Sequence, residues 1–263
     1  MLWCRYRLRR RVLEPPEYPG ALPLLGHLPL LLGDGCVAKC KPFLELLLEL
    51  SEQQVLFTEE EVREHVDTII VSGYETIASV MCFTLVLIGS YKQVQERLLS
   101  ELKDVFGDTD RDVAREDLSR LVYLEAVIKE TMRIYPVAPI VARRIDKDVK
   151  LKNYTLLAGN TCIISQYGIH RHPMWGEDAG EFKPERWLDP STLPDNAHTF
   201  LAFGLGRRNC IGKTYAMTSM KTTLAHFVRR YKVAADHSKM ALKMEVLLKP
   251  VSGHCISVER RMF

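Results

Sequence analysis

The sequence contains no Cys-x-x-Cys pair, and its seven cysteines are scattered and odd in number. That spacing argues against a disulfide framework and points to a reducing, cytosol-facing compartment. A dominant charge is also lacking. Lys and Arg total 36 against 33 Asp and Glu, a net +3, which is too mild a balance to argue for nucleic acid as a partner. No stretch of about 20 apolar residues opens the chain, so no spanning helix is expected at the N-terminus. Instead Met1, Leu2 and Trp3 lead directly into Arg5, Arg7, Arg9, Arg10 and Arg11. This run looks like the basic flank of a membrane anchor without its apolar part. A solvated basic arm is the plainer alternative, and either can meet an anionic membrane surface.

The remaining composition is ordinary for a globular chain: 47% hydrophobic and 26% charged over 263 residues, enough for one large domain or two small ones. Pro15, Pro16, Pro19, Gly20, Pro23 and Gly26 make the next segment stiff and extended. Gly33, Asp34 and Gly35 form a turn, and Phe43 to Leu50 reads as a short apolar helix. Phe57 to Ile88 is the longest helical stretch. Thr58 and Glu61 there make a capping box, and Phe57 with Val62 can make a hydrophobic staple. A membrane span is its rival reading. Glu75 well inside the stretch and a Glu-rich start favour a core helix. Tyr91 to Val105 is amphipathic, and Leu118, Leu121, Leu124, Ile128, Met132 and Tyr135 mark a helix ended by Pro136. Asp148 to His170 reads as sheet. Met244, Val246 and Leu248 alternate before a Pro250–Gly253 hairpin tip, with Ile256 and Val258 as the return strand. The fold class is therefore mainly α with small β-sheets (α+β).

Two stretches carry chemistry. The first is Phe-Gly-Leu-Gly-Arg-Arg-Asn-Cys-Ile-Gly from Phe203 to Gly212. Cys210 lies in a glycine-rich loop just ahead of a helix marked by Ala216, Met217, Met220, Leu224, Phe227 and Val228. Unpaired N–H groups at such a helix start favour an anion, and a thiolate is a good ligand for a soft metal centre. Glycines admit a large flat ligand, Phe203 can keep water from the sulfur, and Arg208 can fork to a carboxylate. A haem needs these features. The plainer alternative is a buried cysteine in a tight turn. The second stretch is Ser72-Gly73-Tyr74-Glu75-Thr76, where a glycine inside a helix and a Thr hydroxyl free to bond back to Ser72 should bend the helix. Its alternative is a close helix crossing at Gly73 with Glu75 merely solvated.

Phe203, Gly206, Arg208, Cys210 and Gly212 match the signature Phe-x-x-Gly-x-Arg-x-Cys-x-Gly, so the chain resembles the cytochrome P450 family. The resemblance runs from about Phe43 to Phe263, which it implies is the haem-binding C-terminal portion of that fold. Residues 1–42 would hold the basic flank, a proline-rich hinge and an apparent deletion junction. It implies haem b ligated by Cys210, with Phe203, Gly206, Arg208 and Gly212 around it and Arg143, or Arg144 by residue type, reaching a propionate. It gives Glu75 and Thr76 the management of protons for bound dioxygen. It makes Glu130, Arg133 and Arg186 a buried triad bracing the haem's proximal side. His170 and His172 resemble a structural family segment. By the same resemblance the protein is a monooxygenase of lipophilic substrates on the cytosolic face of the endoplasmic reticulum membrane. Its electrons would come from NADPH through a reductase, docked at a rim of Arg207, Lys213 and Lys221. The family's Trp-x-x-x-Arg helix and most substrate loops have no counterpart, so the rival expectation is a shortened member that cannot hold haem productively.

Overall fold

The computed structural model describes residues 42–54 and 57–261. The flank, hinge and junction expected in residues 1–42 therefore lie outside the described residues, apart from Pro42. The helices are α1 (Phe43–Gln54), α2 (Glu59–Ser90), α3 (Lys92–Phe106), α4 (Val122–Ile134), the single turn α5 (Gln166–Ile169) and α6 (Lys213–Arg230). Short strands pair two by two, all antiparallel: β1 (Ile140–Arg144) with β4 (Thr161–Ser165), and β2 (Val149–Lys150) with β3 (Thr155–Leu156). In the same way β5 (Tyr231–Ala235) joins β8 (Ile256–Arg260), and β6 (Leu242–Met244) joins β7 (Leu248–Pro250). The fold is mainly helical with small sheets.

Local chemistry sets the helix ends. At the start of α2 the Glu61 N–H donates to Thr58 Oγ1 (3.3 Å) and the Thr58 N–H donates back to Glu61 Oε2 (2.8 Å), so both arms of the capping box form. Pro136 cannot continue α4, which stops at Ile134. The second half of α2 is a core helix. Val80, Phe83, Leu87 and Ile88 are buried in one cluster with Leu98 and Leu102 of α3, Leu124 and Ile128 of α4, and Met220 and Leu224 of α6. The first half of α2 leaves Ile69, Ile70, Val71 and Tyr74 exposed.

Asp148 to His170 holds sheet up to Ser165: β2 and β3 pair within it and β4 pairs with β1, while its last residues form the helical turn α5 capped by His170. One sheet assignment needs correction: the alternation at Met244, Val246 and Leu248 is not one strand. The chain turns between Met244 and Leu248, where the Glu245 N–H donates to Leu247 O (3.2 Å). The return strand β8 then pairs with β5, directly after α6. Gln95 of α3 explains why β5 sits there. Its side chain accepts from the Val233 N–H (2.9 Å) and donates to Val233 O (2.8 Å) and Ile88 O (3.0 Å), doing for β5 what another strand would.

Gly89 lets β5 lie this close to α2. A Cβ at Gly89 would meet Ala235 Cβ, Ala235 N and Val233 Cγ1, each at 3.0 Å, whereas one at Gly73 meets nothing within 4 Å. Two substitutions of the same type should then have opposite signs in urea unfolding. Gly89→Ala should destabilise by about 1–3 kcal/mol through overpacking. Gly73→Ala should stabilise by up to about 1 kcal/mol through helix propensity.

Candidate functional site

The loop before α6 is built by backbone hydrogen bonds. The Gly204 N–H donates to Leu201 O (2.8 Å), the Asn209 N–H to Gly206 O (3.1 Å) and the Cys210 N–H to Phe203 O (2.8 Å). Gly204 and Gly206 take φ of 69° and 76°, a backbone region that side chains strain to enter. Cys210 is exposed rather than packed into the core, which removes the buried-cysteine alternative. No side chain caps α6 at Gly212, so the open end of that helix follows the sulfur within the same loop. Leu205 and Ile211 on either side of Cys210 are exposed apolar residues, Ile211 by 86%. Phe203 is half-buried, with the Lys213 ammonium 5.9 Å from its ring centre.

This donor set fits a haem: an accessible thiol, a glycine cradle open at Gly206, where a Cβ would meet nothing within 4 Å, and apolar side chains beside the sulfur. The two guanidinium candidates sit on different elements. Arg208 is exposed in the turn Gly206–Arg208, and half-buried Arg143 on β1 donates to Ala142 O (2.8 Å). Arg144 is exposed. Lys221 departs from its expected place on a docking rim. It is buried, donating to Leu118 O (2.8 Å) and pairing with Glu125 (2.5 Å), because its position on α6 faces the segment preceding α4.

In α2, the Thr76 hydroxyl donates to Ser72 O (2.8 Å), as the sequence suggested. The hydroxyls of Ser72 and Thr68 do the same one and two turns earlier, to Thr68 O and Glu64 O (both 2.7 Å). No neighbour crowds Gly73, so a close helix crossing does not explain it. Glu75 is not merely solvated, since Lys249 Nζ of β7 lies 2.8 Å from its Oε1. Sequence reasoning missed that partner, for nothing near Lys249 marks it.

Glu130, Arg133 and Arg186 are brought together, with side-chain exposures of 0%, 0% and 2%. The Arg133 guanidinium donates to both Glu130 oxygens (2.9 and 2.8 Å), and Arg186 Nε adds a bond to Oε1 (2.9 Å). Two further donors missed from sequence complete the shell: Trp187 Nε1 (2.9 Å) and the Lys183 N–H (3.0 Å). Arg133 also donates to the carbonyls of His170 (2.7 Å), Ala179 (2.6 Å) and Glu181 (2.8 Å). Buried His170 in turn accepts from the Leu201 N–H at Nε2 (2.9 Å) and stacks on Phe200, ring centres 5.5 Å apart. The triad is thereby tied to the base of the Cys210 loop. Burial, with Arg133 adding to it, pushes the His170 imidazole down to about 4 from its ordinary 6.5.

The family model described as Cytochrome P450 matches residues 33–256. The chain is 35% identical over 226 residues to cytochrome P450 4V2 of Rattus norvegicus and to that of Homo sapiens, covering 85% of this chain and 43% of each relative. It is 34% identical over 223 residues to cytochrome P450 4g15 of Drosophila melanogaster, covering 83% of this chain and 39% of the relative. The chain thus spans less than half the length of the curated relatives it matches.

Glu130→Gln should cost about 3–5 kcal/mol in urea unfolding, because it leaves the buried Arg133 guanidinium without a counter-charge and Arg186 with Asp178 alone (3.2 Å). Lys239→Ala, which removes the exposed pair with Asp236, should move stability by less than about 0.5 kcal/mol. His170 gives a pH signature. Its folded value lies below the unfolded one, so the unfolded chain takes up the proton first. Its contribution is whole above pH 6.5 and is lost as pH falls toward about 4, at up to about 1.4 kcal/mol per unit. His170→Gln should flatten that slope in the same window, as read by unfolding midpoints.

Proposed function

We propose, from the premise that this chain belongs to the cytochrome P450 family, that residues 43–263 are the haem-binding portion of a haem-thiolate monooxygenase. The reaction places one oxygen atom of O2 into a lipophilic organic substrate. The observation that carries this reading is the exposed Cys210 sulfur in its glycine loop, ahead of an uncapped helix. Haem b, when bound, supplies an iron centre that activates dioxygen with an electron-rich thiolate behind it.

The chain's own residues have distinct tasks in this reading. Cys210 donates its thiolate, and the open end of α6 favours that charge. Gly206 and Gly212 keep the loop free of side chains that would hold a flat ligand away. Phe203 shields the sulfur from water, which keeps a thiolate a strong donor. Arg208 and Arg143 supply guanidinium forks for carboxylates. Thr76 and Glu75 hold and pass protons midway along α2. Glu130, Arg133 and Arg186 keep the loop's base rigid. Electrons come from an NADPH-dependent reductase at a rim reduced to Arg207 and Lys213, and the setting is the cytosolic face of the endoplasmic reticulum membrane.

A specific observation favours a second reading, an inactive shortened member. Phe43, Leu44, Leu46 and Leu48 of α1, with Ile70, Val71 and Tyr74 of α2, form apolar surface that the described residues leave open to solvent. Carbon monoxide decides between the two. The purified chain is loaded with haem, reduced and exposed to the gas. A red-shifted Soret band that Cys210→Ala abolishes supports the enzyme. No band, or one like that of a histidine-ligated haem, supports the inactive member.

A further inference from the structure

Lys249 belongs to a hairpin with an unusual charge arrangement. In the β6–β7 register Lys243 stands directly opposite Lys249, and like charges opposed across an antiparallel pair repel. Each lysine has its own acid. Lys243 pairs with Glu245 of the hairpin (2.5 Å), while Lys249 pairs with Glu75, which arrives from α2 (2.8 Å). The like-charged rung is therefore neutralised in part from outside the hairpin. The hairpin is fixed separately next to its turn: Leu248, opposite Met244, is buried, and its N–H donates to Val137 O (2.8 Å). Its tip carries Val246, exposed by 90%. Besides Lys243 across the rung, Glu75, Glu245 and Tyr74 act on the Lys249 ammonium, and the bond to Glu75 does most to hold it above the ordinary lysine range.

We propose that Lys249 is a positioning residue, whose ion pair holds the Glu75 carboxylate against the β6–β7 hairpin and couples the Ser72–Thr76 segment of α2 to that hairpin. The coupling stands on geometry alone, while its consequence for proton delivery rests on the haem-thiolate reading above. Of the polar groups in Ser72–Thr76, only Glu75 reaches out of the helix to a distant partner, since the Ser72 and Thr76 hydroxyls bond their own helix. Motion of the hairpin then alters where the acid points, and the acid in turn decides how firmly the hairpin is held.

Amide hydrogen exchange on the full chain, without haem, tests the coupling. Glu75→Gln and Lys249→Ala should each speed exchange in residues 242–250 about two- to fivefold, the size of effect a partly exposed ion pair gives. The double variant should be no faster than either single one, and Lys249→Arg should restore the slow rate. Unchanged exchange in either single variant, additive effects in the double, or failure of Lys249→Arg to restore would overturn the proposal. A second arm uses haem-loaded chain. Lys249→Ala should shift the pH profile of substrate oxidation while leaving the carbon monoxide Soret position in place, and Lys249→Arg should return the profile. An unshifted profile removes the role in proton delivery. Absence of a thiolate Soret band in the unaltered chain defeats the haem reading alone, and the exchange result still decides the coupling.

Discussion

One buried carboxylate, that of Glu130, organises this half of the molecule. It accepts from Arg133 twice, from Arg186, from Trp187 and from the Lys183 backbone. Such a cluster returns little net stability, because removing charges from water offsets most of what their attraction gives back. It is also intolerant of losing its centre, since removal of the Glu130 charge strands the buried Arg133 guanidinium. The cluster therefore specifies geometry more than it stabilises. Arg133 and Arg186 spend their remaining donors on the carbonyls of His170, Trp175, Asp178, Ala179 and Glu181, so a segment with little regular structure is held by side chains instead of a ladder. His170 carries the restraint on to Leu201, and the loop closed by the Leu201 and Phe203 carbonyls holds Cys210.

Features whose cause lies within a few residues were legible in the sequence. The capping box at Thr58 and Glu61, the stop at Pro136 and the back-bonding hydroxyl of Thr76 each follow from one turn of chain. The α6 period showed its buried face at Met220, Leu224 and Val228. Pairings between distant segments were not legible. β1 and β4 are separated by the whole β2–β3 hairpin, and β5 owes its place to Gln95, a polar residue on an amphipathic helix that periodicity assigns to solvent. Lys221 shows the converse. A lysine beside a basic loop reads as surface, yet its stem is buried and its ammonium meets Glu125 and the Leu118 carbonyl. Glu75 and Lys249 lie far apart in sequence, and a carboxylate's choice among several lysines has no local signal.

The helix α2 has two halves in different circumstances. Beyond Ile77 it is enclosed, with Phe83 stacked on Tyr135 at 4.8 Å and Gly89 pressed against β5. Before Ile77 it is mostly exposed apart from Val62, and Val71 and Tyr74 are exposed by 58% and 62%. The Ser72–Thr76 segment falls at this boundary. The Thr68, Ser72 and Thr76 hydroxyls bond carbonyls of their own helix, so their placement needs no tertiary neighbour. Placing the acid and the alcohol is thus within the power of the helix and the β6–β7 hairpin. Enclosing them is not.

Ligation by sulfur and insertion of oxygen make different demands on a fold. Ligation needs an accessible thiolate at a fixed position, and on the proposed reading the triad, His170 and the glycine loop would supply that position. Oxygen insertion also needs water excluded from the reacting side, because a solvated site loses the low dielectric in which placed dipoles and protons act. The exposed apolar faces of α1 and early α2 are surfaces that such a wall would cover. On the proposed reading, the described residues supply the rigid side of such a site. Family membership rests on the matched sequence, whereas turnover on that reading depends on what covers Val71 and Tyr74.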